Sequence, residues 1–315
     1  MDDTGRTAGA SAFVRFAGPG LSDPQDGHPP GMTSHSHGSA PATSPATRTG
    51  RDIARVVAVA VSAPLAVVVS FFGSGAAGGT PVAEAAGGAL SADATAVAPG
   101  GPAFSIWTLI YAGLLALAVW QALPANHTDA RQRAAGWWIV ASMLLNAAWI
   151  TAIQFDQVWL SVVVIVALLA VLVRVFLIFT RVLPSSRLEA VVVDGTMFVY
   201  LGWVSVATVA NTAAALRYED IDPFGWGADV WAIIVLAVVA AVSVVLATAG
   251  RGRLAVTGAL VWGLAWIAVA RTGDGGLVST PAAVAAVTAA VIAVVATVVA
   301  RIGAERSPTR TTAAA

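Results

Sequence analysis

Trp203, Ala207 and Asn211 recur at four-residue spacing within the apolar stretch YLGWVSVATVAN, from Tyr200 to Asn211. At roughly 100° per residue they fall on one stripe of a helix. Ser205, Thr208 and Thr212 fall on a second stripe, with Asp194 nearly in line with them and nearly opposite Trp203. An indole presents a flat apolar body with one N–H donor, and an amide presents donors and an acceptor. At membrane depth such groups are costly unless they face protein or a cavity. The helix that carries them is therefore predicted to sit centrally in a bundle and to line an interior space. Two other segments repeat the theme: Trp107 and Tyr111 lie at i,i+4, and Asn146 and Trp149 at i,i+3. Trp149 and Trp159 flank the turn between two of the segments. For Asn146 and Trp149, helix packing is an equal reading.

Two charges, Arg174 and Asp194, fall inside apolar segments on consecutive helices. Meeting as a pair would spare either from being neutralised alone. The sharper reading is a proton or substrate relay; the plainer one is a structural bridge with Arg174 snorkelling. No nucleotide loop, paired-carboxylate site, His-rich metal helix or Ser–His–Asp set is present. His127, in a loop beside Arg131, is the sole histidine outside the N-terminal tail. No catalytic residue and no metal ligand is assigned, and conventional hydrolase or transferase chemistry is argued against. The absence of Cys excludes disulfides and thiolate sites.

Membrane spans must position these groups. Of 315 residues, 57% are hydrophobic and 11% charged, against about 25% charged in a typical soluble domain. Apolar runs long enough to cross a bilayer occur at 55–73, 104–123, 136–155, 158–181, 190–212, 229–249, 254–270 and 281–301. The second opens on Pro99 to Pro102 and the eighth on Pro281, both suited to a helix start. Formal charge is balanced and every basic residue is Arg, so no nucleic-acid partner is expected.

Arginine placement tests the number of spans. With the N-terminus cytoplasmic, the inside segments carry Arg48, Arg51, Arg55, Arg131, Arg133, Arg181, Arg187, Arg251, Arg253, Arg301, Arg306 and Arg310. The outside segments carry Arg217 and Arg271, and hold Glu84, Asp93, Asp156, Glu219, Asp220, Asp222, Asp229 and Asp274. This alternation obeys the positive-inside rule. The expectation is a multi-pass protein of the cytoplasmic membrane with both termini inside. Residues 1–50 are rich in Gly, Pro, Ser and Thr and read as a disordered tail. In that tail His35 and His37 could hold a metal only weakly.

The pieces FSIWTLIY, MLLNAAW and YLGWVSVATVAN together resemble the tryptophan-rich sensory proteins, the TspO/MBR (translocator protein) family. Phe104, Trp107, Thr108 and Tyr111 match the start of that family's second helix. Leu145, Asn146 and Trp149 match its third helix, and Tyr200, Leu201, Trp203, Val204, Ser205, Ala207, Thr208 and Asn211 its fifth. The likeness covers about 55–216. The family's Pro-rich first loop is reduced here to PGGPAF, and Val199 replaces the proline before the helix-five tyrosine. Acidic residues after Tyr218 replace the basic end of the sterol-recognition pattern, so sterol binding is not supported.

The apolar runs and the arginine alternation predict an all-α, polytopic integral membrane protein with about eight transmembrane helices, of which the resemblance implies that the first five form a bundle. A five-helix TspO-like bundle at 51–216 is followed by a three-helix extension at 217–303 and a short tail at 304–315. The bundle would hold a planar, mostly apolar ligand such as a tetrapyrrole, lined by Trp107, Tyr111, Asn146, Trp149, Trp159, Trp203, Ala207 and Asn211. No cofactor is required. Some relatives are associated with light-dependent porphyrin breakdown, for which Trp107 and Trp203 would be the candidates. Expected partners are membrane lipid and a hydrophobic small molecule, with a homodimer left open. The competing reading is a small-solute transporter that uses the Asp194/Arg174 pair.

Overall fold

The structure is a computed structural model that describes residues 47–75, 78, 80–222, 224–273 and 277–306. Residues 1–46 of the N-terminal tail, with its histidines, and Asp274 and Arg310 lie outside the described residues. Among those described, eight helices are long and apolar enough to cross a membrane. They are α1 (Gly50–Gly73), α2 (Ile106–Ala122), α3 (Ala130–Gln154), α4 (Val158–Arg181), α5 (Arg187–Tyr218), α6 (Ala228–Ala249), α7 (Leu254–Thr272) and α8 (Thr280–Arg306). The chain is an all-α, multi-pass membrane protein.

Several helices begin earlier than their apolar runs because a polar cap starts them. Thr49 and Asp52 form a capping box that opens α1, and Asp129 accepts from the Gln132 N–H to open α3. Each cap satisfies backbone donors that the first helical turn leaves free. The consequence is that Arg55 and Arg131, read as loop-side charges, lie on helices and are buried. At the other end of the chain, α8 runs on to Arg306, past the expected limit at 303.

Helices α1 to α5 close a ring in the order α1–α2–α5–α4–α3, each packed on the next and α3 on α1. Helix α5 has the largest buried share of the eight spans, as a central helix should. Its outer side receives α7, and α8 packs against both α6 and α7. Close approach sets the α5–α7 contact. A Cβ on Gly202 would come within 2.3 Å of the Val256 carbonyl oxygen, and one on Gly263 within 2.9 Å of the Val206 side chain. Small residues at such crossings let backbones approach, which is how helices gain packing energy in lipid. The described residues belong to one compact unit.

Helix α5 is not α-helical throughout. After the turn Arg187–Glu189 comes a π-helical run, Ala190–Gly195, and only then the α-helical Thr196–Tyr218. Between α1 and α2, residues 80–105 form a strap of turns that ends in the 3-10 turn Gly101–Ser105. Ala96, Val97 and Ala98 of this strap are buried.

Candidate functional site

Trp107 is the hub of an aromatic cluster inside the ring. Its indole lies near-parallel to the ring of Tyr111 at 5.3 Å and to that of Trp149 at 6.5 Å. It meets Tyr200 at 5.9 Å and Trp203 at 6.3 Å edge-on, and Phe104 closes against Trp203 at 5.6 Å. Offset-stacked and T-shaped pairs of this kind contribute about 0.5–1.5 kcal/mol each beyond their burial. The rings come from α2, α3 and α5 and from the end of the strap, so convergence depends on three helices holding their rotation. Helix α2 supplies Trp107 and Tyr111 one turn apart, and α5 supplies Trp203 one turn before Ala207 and two before Asn211.

Beside the cluster lies a cavity of about 30 Å³ lined by Leu90, Phe104, Trp107, Asn146, Trp149, Ile165, Leu168, Trp203, Val204, Ala207, Ala210 and Asn211. The stripe Trp203, Ala207, Asn211 therefore faces one interior space, and Asn146 and Trp149 face it from α3. Tyr111, expected in the lining, stands behind it, stacked on Trp107 and bonded to Asn146.

Two polar ladders tie the cavity wall to its neighbours. The Asn146 amide donates to the Tyr111 hydroxyl at 2.9 Å, which donates to Ser70 Oγ at 2.5 Å, linking α3, α2 and α1. Asn211 donates to Ser161 Oγ on α4 at 2.9 Å. Ser205, Thr208 and Thr212 instead bond back to the carbonyls four residues earlier, and none of the three lines this cavity. Three polar atoms of cavity residues remain buried with no partner among the described residues: Trp149 Nε1, Trp203 Nε1 and Asn146 Oδ1. Unpaired buried donors and acceptors cost about 1–3 kcal/mol each and are uncommon enough to mark a site.

Two expectations are corrected. Trp159 does not join the cavity. It is 43% exposed, because Val158 and Ser161 take the inward side of the first turn of α4. Arg174 and Asp194 do not pair. Arg174 lies on the exposed side of α4, while Leu172, Val175, Phe176 and Phe179 face inward. Asp194 is buried, and its two oxygens accept from Arg131 of α3 at 2.6 Å and from Arg253 before α7 at 3.1 Å. The wider turns of the π-helical run carry Asp194 away from the place a 100° step assigns it.

Arg131 also pairs with Glu189, and its guanidinium lies 4.5 Å from the centroid of the Phe179 ring. Glu189 accepts in turn from the Ser185 N–H and hydroxyl. Arg55 donates to Gln121 and to the His127 carbonyl. These residues form a buried ionic layer at the end of the bundle opposite the strap, separate from the aromatic cavity. Spacing did not reveal it, because its members come from α1, α3, α5 and the approach to α7.

At the strap end, the carboxyl of Asp93 is held below its usual range, first by the Ser91 hydroxyl that donates to it at 2.5 Å. Trp262 and Trp266 of α7 also hold the strap. Trp262 Nε1 donates to the Ala103 carbonyl at 2.9 Å, and the Trp266 carbonyl accepts from the Gly100 N–H at 3.2 Å.

Comparison with known proteins places this architecture. A model of the family described as TSPO-like protein matches residues 60–299, which takes in helices α6 to α8 as well as the five-helix ring. No curated protein and no solved structure matches the chain.

Proposed function

Since the chain belongs to the TSPO-like protein family, we propose that it is a membrane sensor or binding protein for a flat, largely apolar, tetrapyrrole-like ligand. The ligand enters between Trp107, Trp149 and Trp203. One observation carries the reading: indoles from three helices converge on one cavity while two of their N–H groups and a neighbouring amide oxygen lack partners among the described residues. A ligand with a polar edge satisfies those groups while its faces stack on the rings.

The cavity of about 30 Å³ is far smaller than the roughly 300–1,000 Å³ of ligand pockets, so binding requires the rings to part. The near-parallel Trp107 and Trp149, with centroids 6.5 Å apart, are the pair a flat ring separates. Two van der Waals gaps need about 7 Å between ring planes. We place the protein in the cytoplasmic membrane with its Arg-rich end, bearing Arg131, Arg133, Arg181, Arg187, Arg251 and Arg253, on the inside.

Protoporphyrin IX titrated into the purified chain should quench tryptophan fluorescence saturably. Trp203→Phe keeps the fold and removes one unpaired N–H and part of the stacking surface, and should weaken binding about tenfold. Absence of saturable quenching in the parent protein would rule the reading out.

A further inference from the structure

Arg271, in the last turn of α7, is fully buried, yet its guanidinium meets no carboxylate among the described residues. It donates instead to the carbonyls of Ala92 and Thr95, the latter at 2.5 Å, and more loosely to that of Ala98 at 3.5 Å. Burying a cation without a direct carboxylate partner is expensive; the Asp93 carboxylate of the strap acts on it only from a distance, and every acceptor it bonds lies within one short stretch of the strap. Two further ties come from the same helix, through Trp262 to Ala103 and through Trp266 to Gly100.

From the far side the strap is held differently. The Ala86 N–H donates to Asp156 Oδ1, in the turn between α3 and α4, at 2.9 Å. Between these two anchorages the strap places Leu90 in the wall of the aromatic cavity. The ring α1–α5 thus holds one end of the cover, and α7, which lies outside the ring, holds the other.

We propose that Arg271 latches the strap that covers the aromatic cavity, so that α7, a helix outside the ring, controls access to the site. That control rests on the reading that the cavity takes a ligand; the latch does not. Its backbone ties are of the kind that open locally without global unfolding. Freeing the Arg271 end therefore lets the strap lift while Asp156 retains the other.

The chain has no Cys, so a single Ala96→Cys, at a buried position next to the Arg271-bonded Thr95, reports opening by its rate of maleimide labelling in detergent micelles. Added Arg271→Gln should speed labelling about tenfold, and Arg271→Lys, which keeps the charge with fewer donors, should speed it less. In the same proteins the on- and off-rates of protoporphyrin IX, followed by tryptophan quenching, should rise together with little change in Kd. Labelling unchanged by Arg271→Gln overturns the latch, as does affinity lost through a faster off-rate with an unchanged on-rate. Faster labelling with no quenching in any form upholds the latch and overturns the ligand reading instead. If Arg271→Gln fails to fold, Trp262→Phe removes only the tie to Ala103; a smaller acceleration supports the proposal, and none overturns it.

Discussion

At the scale of single residues, Asp194 and Arg174 separate what a buried charge does from what an apolar neighbourhood suggests. Asp194 serves two arginines from different helices, with its side chain 2% exposed. Arg174 faces outward with no ion pair among the described residues. Asp194→Ala should therefore cost about 3–5 kcal/mol, since it leaves buried guanidinium charge uncompensated. Arg174→Gln should change stability by no more than about 0.5 kcal/mol. Thermal midpoints of both variants in one detergent check the contrast, and equal losses would restore the pair that the sequence suggests. Residue identity was enough to flag Asp194 as a group needing a partner. It could not choose the partner, because the π-helical run breaks the angular step on which the projection depends. Trp203, Ala207 and Asn211 lie beyond that run in regular helix, and there the same projection places them on one wall.

At the scale of elements, all eight spans were legible because membrane thickness imposes a length and an apolar composition on each. Their ends were not, because polar caps and buried arginines belong to the helix without adding hydropathy. Helix α3 begins at Ala130, six residues before its apolar run, and this displacement hid Arg131 as a buried group. Contacts between elements leave a fainter trace in glycine. Gly202 and Gly258 are both helical, yet a Cβ on Gly202 strikes the Val256 carbonyl while one on Gly258 meets nothing within 4 Å. Gly202→Ala should cost about 1–3 kcal/mol by forcing α7 away from α5. Gly258→Ala should stabilise by about 0.5–1 kcal/mol through helix propensity alone. Melting the two variants side by side checks the α5–α7 packing, which is unsupported if both shift the midpoint the same way.

For the whole molecule, the open question is whether α6 to α8 are an appendage or part of the working body. Motifs stop near residue 216 because they encode the ring's interior, whereas the family match runs to residue 299. The outer helices were hard to interpret from sequence because their contacts with the ring are backbone ties and close packing. The Arg271 bonds to the strap span more than 170 residues of chain. A hint was available in Arg217 and Arg271, the two arginines on the acid-rich side. Arg217 pairs in the open with Asp220, whereas Arg271 is buried. Removing α6 to α8 deletes Arg253 from the ionic layer, Arg271 from the strap and the surface that covers Gly202. It thus removes support from the ionic layer, the strap and the ring's central helix at once. A chain ended after Tyr218 should accordingly lose the folded monomer rather than behave as a smaller binder. Size-exclusion profiles and protoporphyrin IX quenching of the 1–218 piece, beside those of the full chain, measure this. A monodisperse piece that quenches as the full chain does would make the extension dispensable. An aggregated or non-quenching piece, rescued by co-expressing residues 219–315, would make the eight helices one functional body.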